Sequence, residues 1–190
     1  MTMHKLDAGV IESCRQGDPE ALRMIFEAYK DKVYSLSLCY FNGDVATAKD
    51  LTQEVFVKLL TRLDQFRGDA EFTTWLYRVA ANACLDERRK RRRWSSLEDV
   101  VEVGHMVVRK SLETVQFQKE MADRVNSAVA ELRPKLRIAI LLKYFDDLSY
   151  QEIASVLGCS VGTVASRLNR GHRLLARKLG HLRHALTAGD

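Results

Sequence analysis

The stretch from Leu148 to Arg170 leaves little choice of local fold, because its residues force two short helices around a corner. Ser149 followed by Glu152 is a capping-box start, in which side chain and backbone satisfy each other's unpaired groups. Ile153, Ala154 and Leu157 give the first helix an inward face. Gly158 stops it, since glycine takes the left-handed conformation at little cost. Ser160 then caps a second helix, with Val161, Val164 and Leu168 facing in and Ser166, Arg167, Asn169 and Arg170 facing out. This is the helix-turn-helix pattern, whose second helix suits a DNA major groove. An ordinary helical hairpin fits the same local pattern, so the surroundings decide between the two.

The charge around this corner is one-sided. No acidic residue occurs from Ile153 to Gly189, while Arg167, Arg170, Arg173, Arg177, Lys178 and Arg183 all do. A second basic block spans residues 86–93, with six cations against two anions. The more acidic residues Glu98, Asp99 and Glu102 lie between them. Two basic surfaces on one chain suit two contacts with one polyanion, although a solvated helix end explains the 88–93 run equally well. The rest of the composition excludes other classes. No run of apolar residues is long enough to span a membrane, and Met1 to Gly17 lacks a signal core, so the chain is expected in the cytoplasm. Cys14, Cys39, Cys84 and Cys159 are far apart and form no ligand cluster, so neither a metal nor a cofactor is expected.

Periodicity upstream is helical throughout, and the only prolines are Pro19 and Pro134. Asp18-Pro19 reads as a cap and first helical residue. Leu22, Ile25, Phe26, Tyr29, Val33, Leu36 and Tyr40 follow at spacings of three and four. After the Asn42-Gly43-Asp44 turn, a helix from about Ala46 to Leu63 buries Ala48, Leu51, Val55 and Leu59. Its outer stripe carries Asp50, Gln53, Glu54 and Lys58. A loop at 66–70 leads to a helix from Phe72 into the basic block, with Phe72, Trp75, Leu76, Val79 and Ala83 as its apolar face. Arg78, Asn82, Asp86, Arg89 and Arg93 form a polar stripe on another side. Residues 95–116 lack periodicity and read as a linker. Helix resumes with Phe117, Met121, Val125, Val129 and Leu132, and Pro134 starts the next one. The expectation is an all-α chain of two helical domains.

These segments together resemble the extracytoplasmic-function (ECF, group IV) sigma-70 factors. The resemblance rests on Gly17–Leu22, Asp50–Lys58, Phe66–Asn82, and Leu148–Gly158 followed by Val161–Val164, and it covers nearly the whole chain in order. It implies a sigma-2 domain over residues 1–94 that binds core RNA polymerase and the −10 element. It further implies a linker over 95–116 and a sigma-4 helix-turn-helix domain over 117–190 that reads the −35 element. The implied role is promoter recognition, −10 melting and initiation, without catalysis by the chain itself. Implied partners are the clamp of the largest polymerase subunit, the polymerase flap, promoter DNA and an anti-sigma factor, with no insertion into the membrane.

The same resemblance assigns residues. Asp50, Gln53, Glu54, Phe56 and Lys58 would dock on the clamp. Arg67, Asp69 and Ala70 would hold a flipped −10 base, with Asn82 beyond them and Arg78, Arg88 and Arg89 along the strand. Ser160 and Thr163 suit phosphates at a helix N-terminus. Ser166, Arg167, Asn169 and Arg170 would face the bases, with Arg173 on phosphate or polymerase. The family often has arginine at the position of Ala165, so this chain's −35 preference is expected to be its own. Phe72 and Trp75 read better as core than as stacking platforms. Two other classes compete: a stand-alone helix-turn-helix regulator, which needs no 50–58 surface, and a DNA-processing enzyme, for which no P-loop, HExxH or Ser/His constellation is present.

Overall fold

The computed structural model describes residues 8–66, 68, 71–94 and 114–180. Eight α-helices make up this part: α1 (Ala8–Arg15), α2 (Pro19–Tyr40), α3 (Val45–Arg62), α4 (Phe72–Trp94), α5 (Thr114–Ala130), α6 (Pro134–Tyr144), α7 (Tyr150–Leu157) and α8 (Val161–Leu179). No strand occurs among the described residues. The helix α1 has no counterpart in the sequence reading. Helix α5 begins at Thr114, so the last residues of the 95–116 segment are helical, while 95–113 lie outside the described residues.

Local chemistry sets the boundaries. Asp18 accepts the Glu20 amide at 2.9 Å, with Pro19 at the first helical position of α2. At the other end, Asn42 and Gly43 both take positive φ (54° and 86°), which turns the chain into α3. Asp44 caps α3 by accepting the Thr47 amide at 3.0 Å. The residues Ile25, Val33, Tyr40, Ala48, Val55 and Leu59 that the three-and-four spacing turned inward are fully buried. Phe72 is also core, ringed by Tyr29, Phe66 and Trp75 at centroid distances of 5.7, 5.5 and 5.9 Å, whereas Trp75 is half-buried.

Helix α4 departs from a simple amphipathic pattern. Between Phe72 and Cys84 only Trp75, Arg78 and Asn82 escape burial. One face meets α2, where the Tyr29 and Thr73 hydroxyls share a hydrogen bond of 3.2 Å and Ser37 Oγ lies 3.9 Å from Cys84 Sγ. The other face is taken by the C-terminal half: the Tyr77 hydroxyl donates to the Asp146 carboxylate, and Arg78 donates to the carbonyl of Ser155 in α7. Ala80 and Ala81, both fully buried, keep the helix thin enough for neighbours on both sides. The buried side chains accordingly form one cluster across both halves of the chain.

A second junction is made by Arg137, which is only 4% exposed within the otherwise apolar Leu136–Leu142 run. Its guanidinium donates to the carbonyls of Val129 (3.1 Å) and Leu132 (3.3 Å) at the end of α5 and of Tyr40 (2.8 Å) at the end of α2. It also lies over the Tyr40 ring, 5.3 Å from its centroid.

In the C-terminal half, α8 crosses α6 at Gly171, where an added Cβ would stand 2.9 Å from Ile140 Cγ1. Two orientations differ from the sequence reading. Val161, assigned inward, is 41% exposed, because the first turn of α8 projects beyond α7. Val156 is buried at 1% and Leu157 only partly, because α7 is enclosed by α4 as well as by α6 and α8. Gly171→Val is expected to destabilise the chain by about 2 kcal/mol through overpacking against Ile140; a thermal melt followed by circular dichroism reads this as a lowered midpoint.

Candidate nucleic-acid interface

The helix-turn-helix is built by three local devices. Ser149 Oγ accepts the Glu152 amide at 3.2 Å, and the Glu152 carboxylate accepts the Ser149 amide at 2.8 Å. Gly158 adopts φ 58° and ψ 45°, and the Cys159 amide donates back to the Ala154 carbonyl at 3.1 Å. Ser160 Oγ then accepts the Thr163 amide at 3.2 Å to start α8. The corner is therefore fixed by groups that all lie between Ser149 and Thr163.

Packing of α8 decides which side chains are available. Val164, Leu168 and Gly171 are buried against the rest of the domain. Ser166, Asn169, Arg170 and Arg173 are exposed, and their spacing of three and four puts them on one face. Arg167 behaves differently: it is half-buried, and Nη1 donates to Cys159 Sγ at 3.5 Å, which ties it to the turn. Ser160 and Thr163 share a hydroxyl hydrogen bond of 2.9 Å at the helix N-terminus. Lys178, one of the cations of the basic C-terminal stretch, is paired with Glu131 of α5.

The second basic surface is the outer edge of α4. Asn82, Arg88 and Arg89 are exposed, and Arg89 pairs with Asp86 at 3.2 Å. Arg78 is exposed but engaged, with Nε and Nη2 donating to the Ser155 carbonyl at 3.1 and 2.8 Å and Nη2 to Ser155 Oγ at 3.2 Å. Arg67, Asp69 and Ala70 lie outside the described residues. Arg91 is a structural member of the basic run. It meets Asp44 (3.1 Å), Glu87 (3.1 Å) and the Thr47 hydroxyl, and its guanidinium lies 5.1 Å from the Phe41 ring centroid. Burial pushes the Asp44 carboxyl up, but hydrogen bonds from Thr47 and Arg91 outweigh it and hold the group below its ordinary value.

A third surface lies on α3. Asp50 and Gln53 are exposed and Glu54 and Lys58 pair at 2.5 Å, whereas Phe56 is turned away from this stripe, 6% exposed and edge-on to Phe26 at 4.8 Å. Beside this stripe is an open apolar groove lined by Leu22, Phe26, Phe56, Val57 and Leu60, with Val57 59% and Leu60 46% exposed. The sequence reading missed Val57 and Leu60. Their signal was apolar residues at the wrong phase of the helical repeat. Among the described residues no group of three His, Cys, Asp or Glu side chains is placed to hold a metal, and no helix is long and apolar enough to cross a membrane.

Two family models match separate parts of the chain. Residues 25–95 match the family described as Sigma-70 region 2, and residues 122–175 match Sigma-70, region 4. The ECF RNA polymerase sigma factor SigW of Bacillus subtilis (strain 168) is 34% identical over 181 residues, covering 90% of this chain and 96% of the relative. The ECF RNA polymerase sigma-E factor of Escherichia coli (strain K12) is 35% identical over 188 residues, covering 94% and 97%. Among solved structures, CnrH in complex with the cytosolic domain of CnrY superposes with a TM-score of 0.66 at 23% identity, covering 90% of this chain and 96% of that one. The sigma factor RpoE in complex with the anti-sigma factor NepR from Bartonella quintana gives 0.67 at 22% identity, covering 83% and 96%. At these identities the two structures speak for the fold.

Arg91→Ala is expected to lower stability by about 1 kcal/mol at neutral pH, from the lost ion pairs and ring contact. Because the folded chain depresses the Asp44 pKa, Asp44's stabilisation is complete above the unfolded carboxylate value and is lost as pH falls through the folded one. The melting curves of wild type and Arg91→Ala should therefore converge in acid.

Proposed function

This chain belongs to the extracytoplasmic-function sigma-70 factors of RNA polymerase, and from that premise we infer how its surfaces divide the work of starting transcription. It binds core RNA polymerase, directs it to promoters, and supports −10 melting and initiation. It supplies recognition and melting, while bond formation belongs to the polymerase; its site of action is the cytoplasm, with the enzyme. Residues 1–94 serve the polymerase and the −10 element, 117–190 the −35 element, and 95–116 join them.

The observation that carries this reading is the single exposed face of α8, Ser166–Asn169–Arg170–Arg173, held on a capped helix by a buried opposite face. Asn169 and Arg170 carry the paired hydrogen-bonding groups that adenine and guanine edges take, each good pair contributing about 1–3 kcal/mol of discrimination. Ser160, Thr163 and the first-turn amides of α8 position phosphates, and Arg173 adds charge to the same track. Arg167 sits at the rim and reaches DNA only by leaving Cys159. On α4, Asn82 contacts the melted strand and Arg78, Arg88 and Arg89 follow its phosphates; Arg67, Asp69 and Ala70, which precede that helix in the sequence, hold the flipped base. On α3, Asp50, Gln53, Glu54 and Lys58 meet the polymerase clamp, with Phe56 holding the helix against α2, and the flap meets the C-terminal domain. An anti-sigma factor is the partner class assigned to withhold the chain from polymerase.

Run-off transcription with core polymerase on a genomic promoter library tests the reading. Discrete start sites that depend on this chain are expected; specific duplex binding by the free chain with no polymerase-dependent starts would assign it instead to stand-alone regulation. In the same assay Arg170→Ala should reduce use of the −35 element about tenfold or more and relax its base preference at one position. Asn82→Ala should slow open-complex formation while leaving the affinity for core polymerase unchanged, as read by permanganate footprinting beside a polymerase-binding titration.

A further inference from the structure

Helix α1 sends one long side chain beyond its own packing. Ile11 and Cys14 seat the helix and are 8% and 5% exposed. Arg15, its last residue, reaches instead to the chain that leaves α3. Its Nη2 donates to the Phe66 carbonyl at 2.8 Å and to the Leu63 carbonyl at 3.4 Å. Nη1 meets the Glu12 carboxylate of the same helix at 2.6 Å, and Nε lies 3.8 Å from Asp64. Leu63–Gln65 is one tight 3-10 turn, and the Phe66 amide closes it on the Leu63 carbonyl at 3.0 Å. A helix that stops leaves its last carbonyls without amide partners, and their partial negative charge favours a cation. Arg15 fills that place from another helix.

The contact falls at a particular point of the chain. Phe66 is the residue before Arg67, and five residues separate it from Phe72, where α4 begins. The Phe66 ring is edge-on to Phe72 at 5.5 Å and lies 5.7 Å from Trp75, both in the first turn of α4. Main chain and side chain of Phe66 are therefore fixed by different helices, the carbonyl by α1 and the ring by α4. Docking of α1 on the bundle does not require the arginine, since Ile11 and Cys14 already bury that face. Nor does the pair with Glu12 explain it, because an exposed ion pair within one helix contributes little. What the guanidinium adds is a fixed position for one carbonyl.

We propose that Arg15 is a positioning residue for capture of the flipped −10 base, acting through the Phe66 carbonyl, from which the chain passes directly to Arg67. The inference rests on the assignment of Arg67, Asp69 and Ala70 to that base. Arg15 does not touch DNA; its guanidinium is engaged with Leu63, Phe66 and Glu12. A pocket that discriminates needs its groups held within a fraction of an ångström, and a displacement at its entry costs selectivity before it costs charge. The loss of Arg15 is therefore felt at one nucleotide. The phosphate attraction of Arg88 and Arg89, carried near the other end of α4, stays as it is.

The full chain assembled with core polymerase is titrated with a labelled single strand carrying the −10 element of a promoter mapped by run-off. Copies of the strand in which each −10 nucleotide in turn is abasic are titrated beside it. In the wild type one abasic position should weaken binding more than the others. The ratio of affinities, intact strand over that copy, measures capture of the base and does not depend on how much of the chain is folded. Arg15→Ala should reduce this ratio about fivefold, and Arg15→Lys, which keeps a cationic donor, should recover part of it. The slope of strand affinity against salt and the affinity for core polymerase should both be unchanged. A purely structural Arg15 leaves the ratio at its wild-type value, which overturns the proposal and keeps the −10 assignment. A salt slope reduced by about one makes Arg15 a phosphate contact and overturns the proposal as well. If no abasic position stands out in the wild type, the assignment of Arg67, Asp69 and Ala70 fails, and the proposal with it.

Discussion

Arg137 is the fixed point around which the two halves of the chain are arranged. A buried guanidinium is costly unless its donors are satisfied, and here the acceptors are the carbonyls of Val129, Leu132 and Tyr40. Those carbonyls sit at or near the ends of α5 and α2, where helix dipoles leave partial negative charge and orphan acceptors. One cation therefore finishes two helices that belong to different domains. Burial lowers its pKa to about 10, which still leaves it charged at any physiological pH. The junction is thus electrostatic in kind, with its strength set by hydrogen-bond geometry more than by apolar area.

The same economy governs α4. It serves its own bundle through Thr73 and Cys84, the other domain through Tyr77 and Arg78, and solvent through Asn82 and the basic end. A helix with three customers has no room for large side chains on every face, which is why Ala80 and Ala81 are fully buried at its middle. The basic end is likewise divided. Arg91 is committed to Asp44, Glu87 and Phe41, so the neighbouring cations are carried on a braced helix. A charge run in a sequence looks uniform; in the fold one of its members is a strut.

What the sequence made readable was what short-range chemistry decides. The Asp18-Pro19 start, the Ser149/Glu152 box, the Gly158 corner and the Ser160 cap involve groups a few residues apart, and each stands in the structure as its chemistry requires. Periodicity also found most of the buried face of α2, α3 and α4, although Phe26 of the α2 series is 37% exposed, and in α5 it named Val125, which is 38% exposed. It did not find second faces, because a single repeat assigns one partner per helix: Tyr77, Ala81 and Val156 are buried by elements far away in sequence. Nor did it single out Arg137, a lone cation in an apolar run, whose acceptors are brought to it only by tertiary packing. The exposed set on α8 was legible except for Arg167, whose tie to Cys159 depends on the turn's geometry. The apolar groove beside α3 stayed hidden, since Val57 and Leu60 look like noise until their neighbours on α2 are in place.

The open face of α8 has a consequence best put as information. From Ser166 to Arg173 the helix rises about 10 Å, which is the length of about three base pairs. A reader of three positions can distinguish at most about 64 sequences, so a matching site recurs roughly every 64 base pairs of random DNA. If it reads bases as proposed, such a helix would favour a promoter but could not address one. On the proposed assignment of the −35 element to α8 and the −10 element to α4, the address would be the product of two short words read at a fixed spacing.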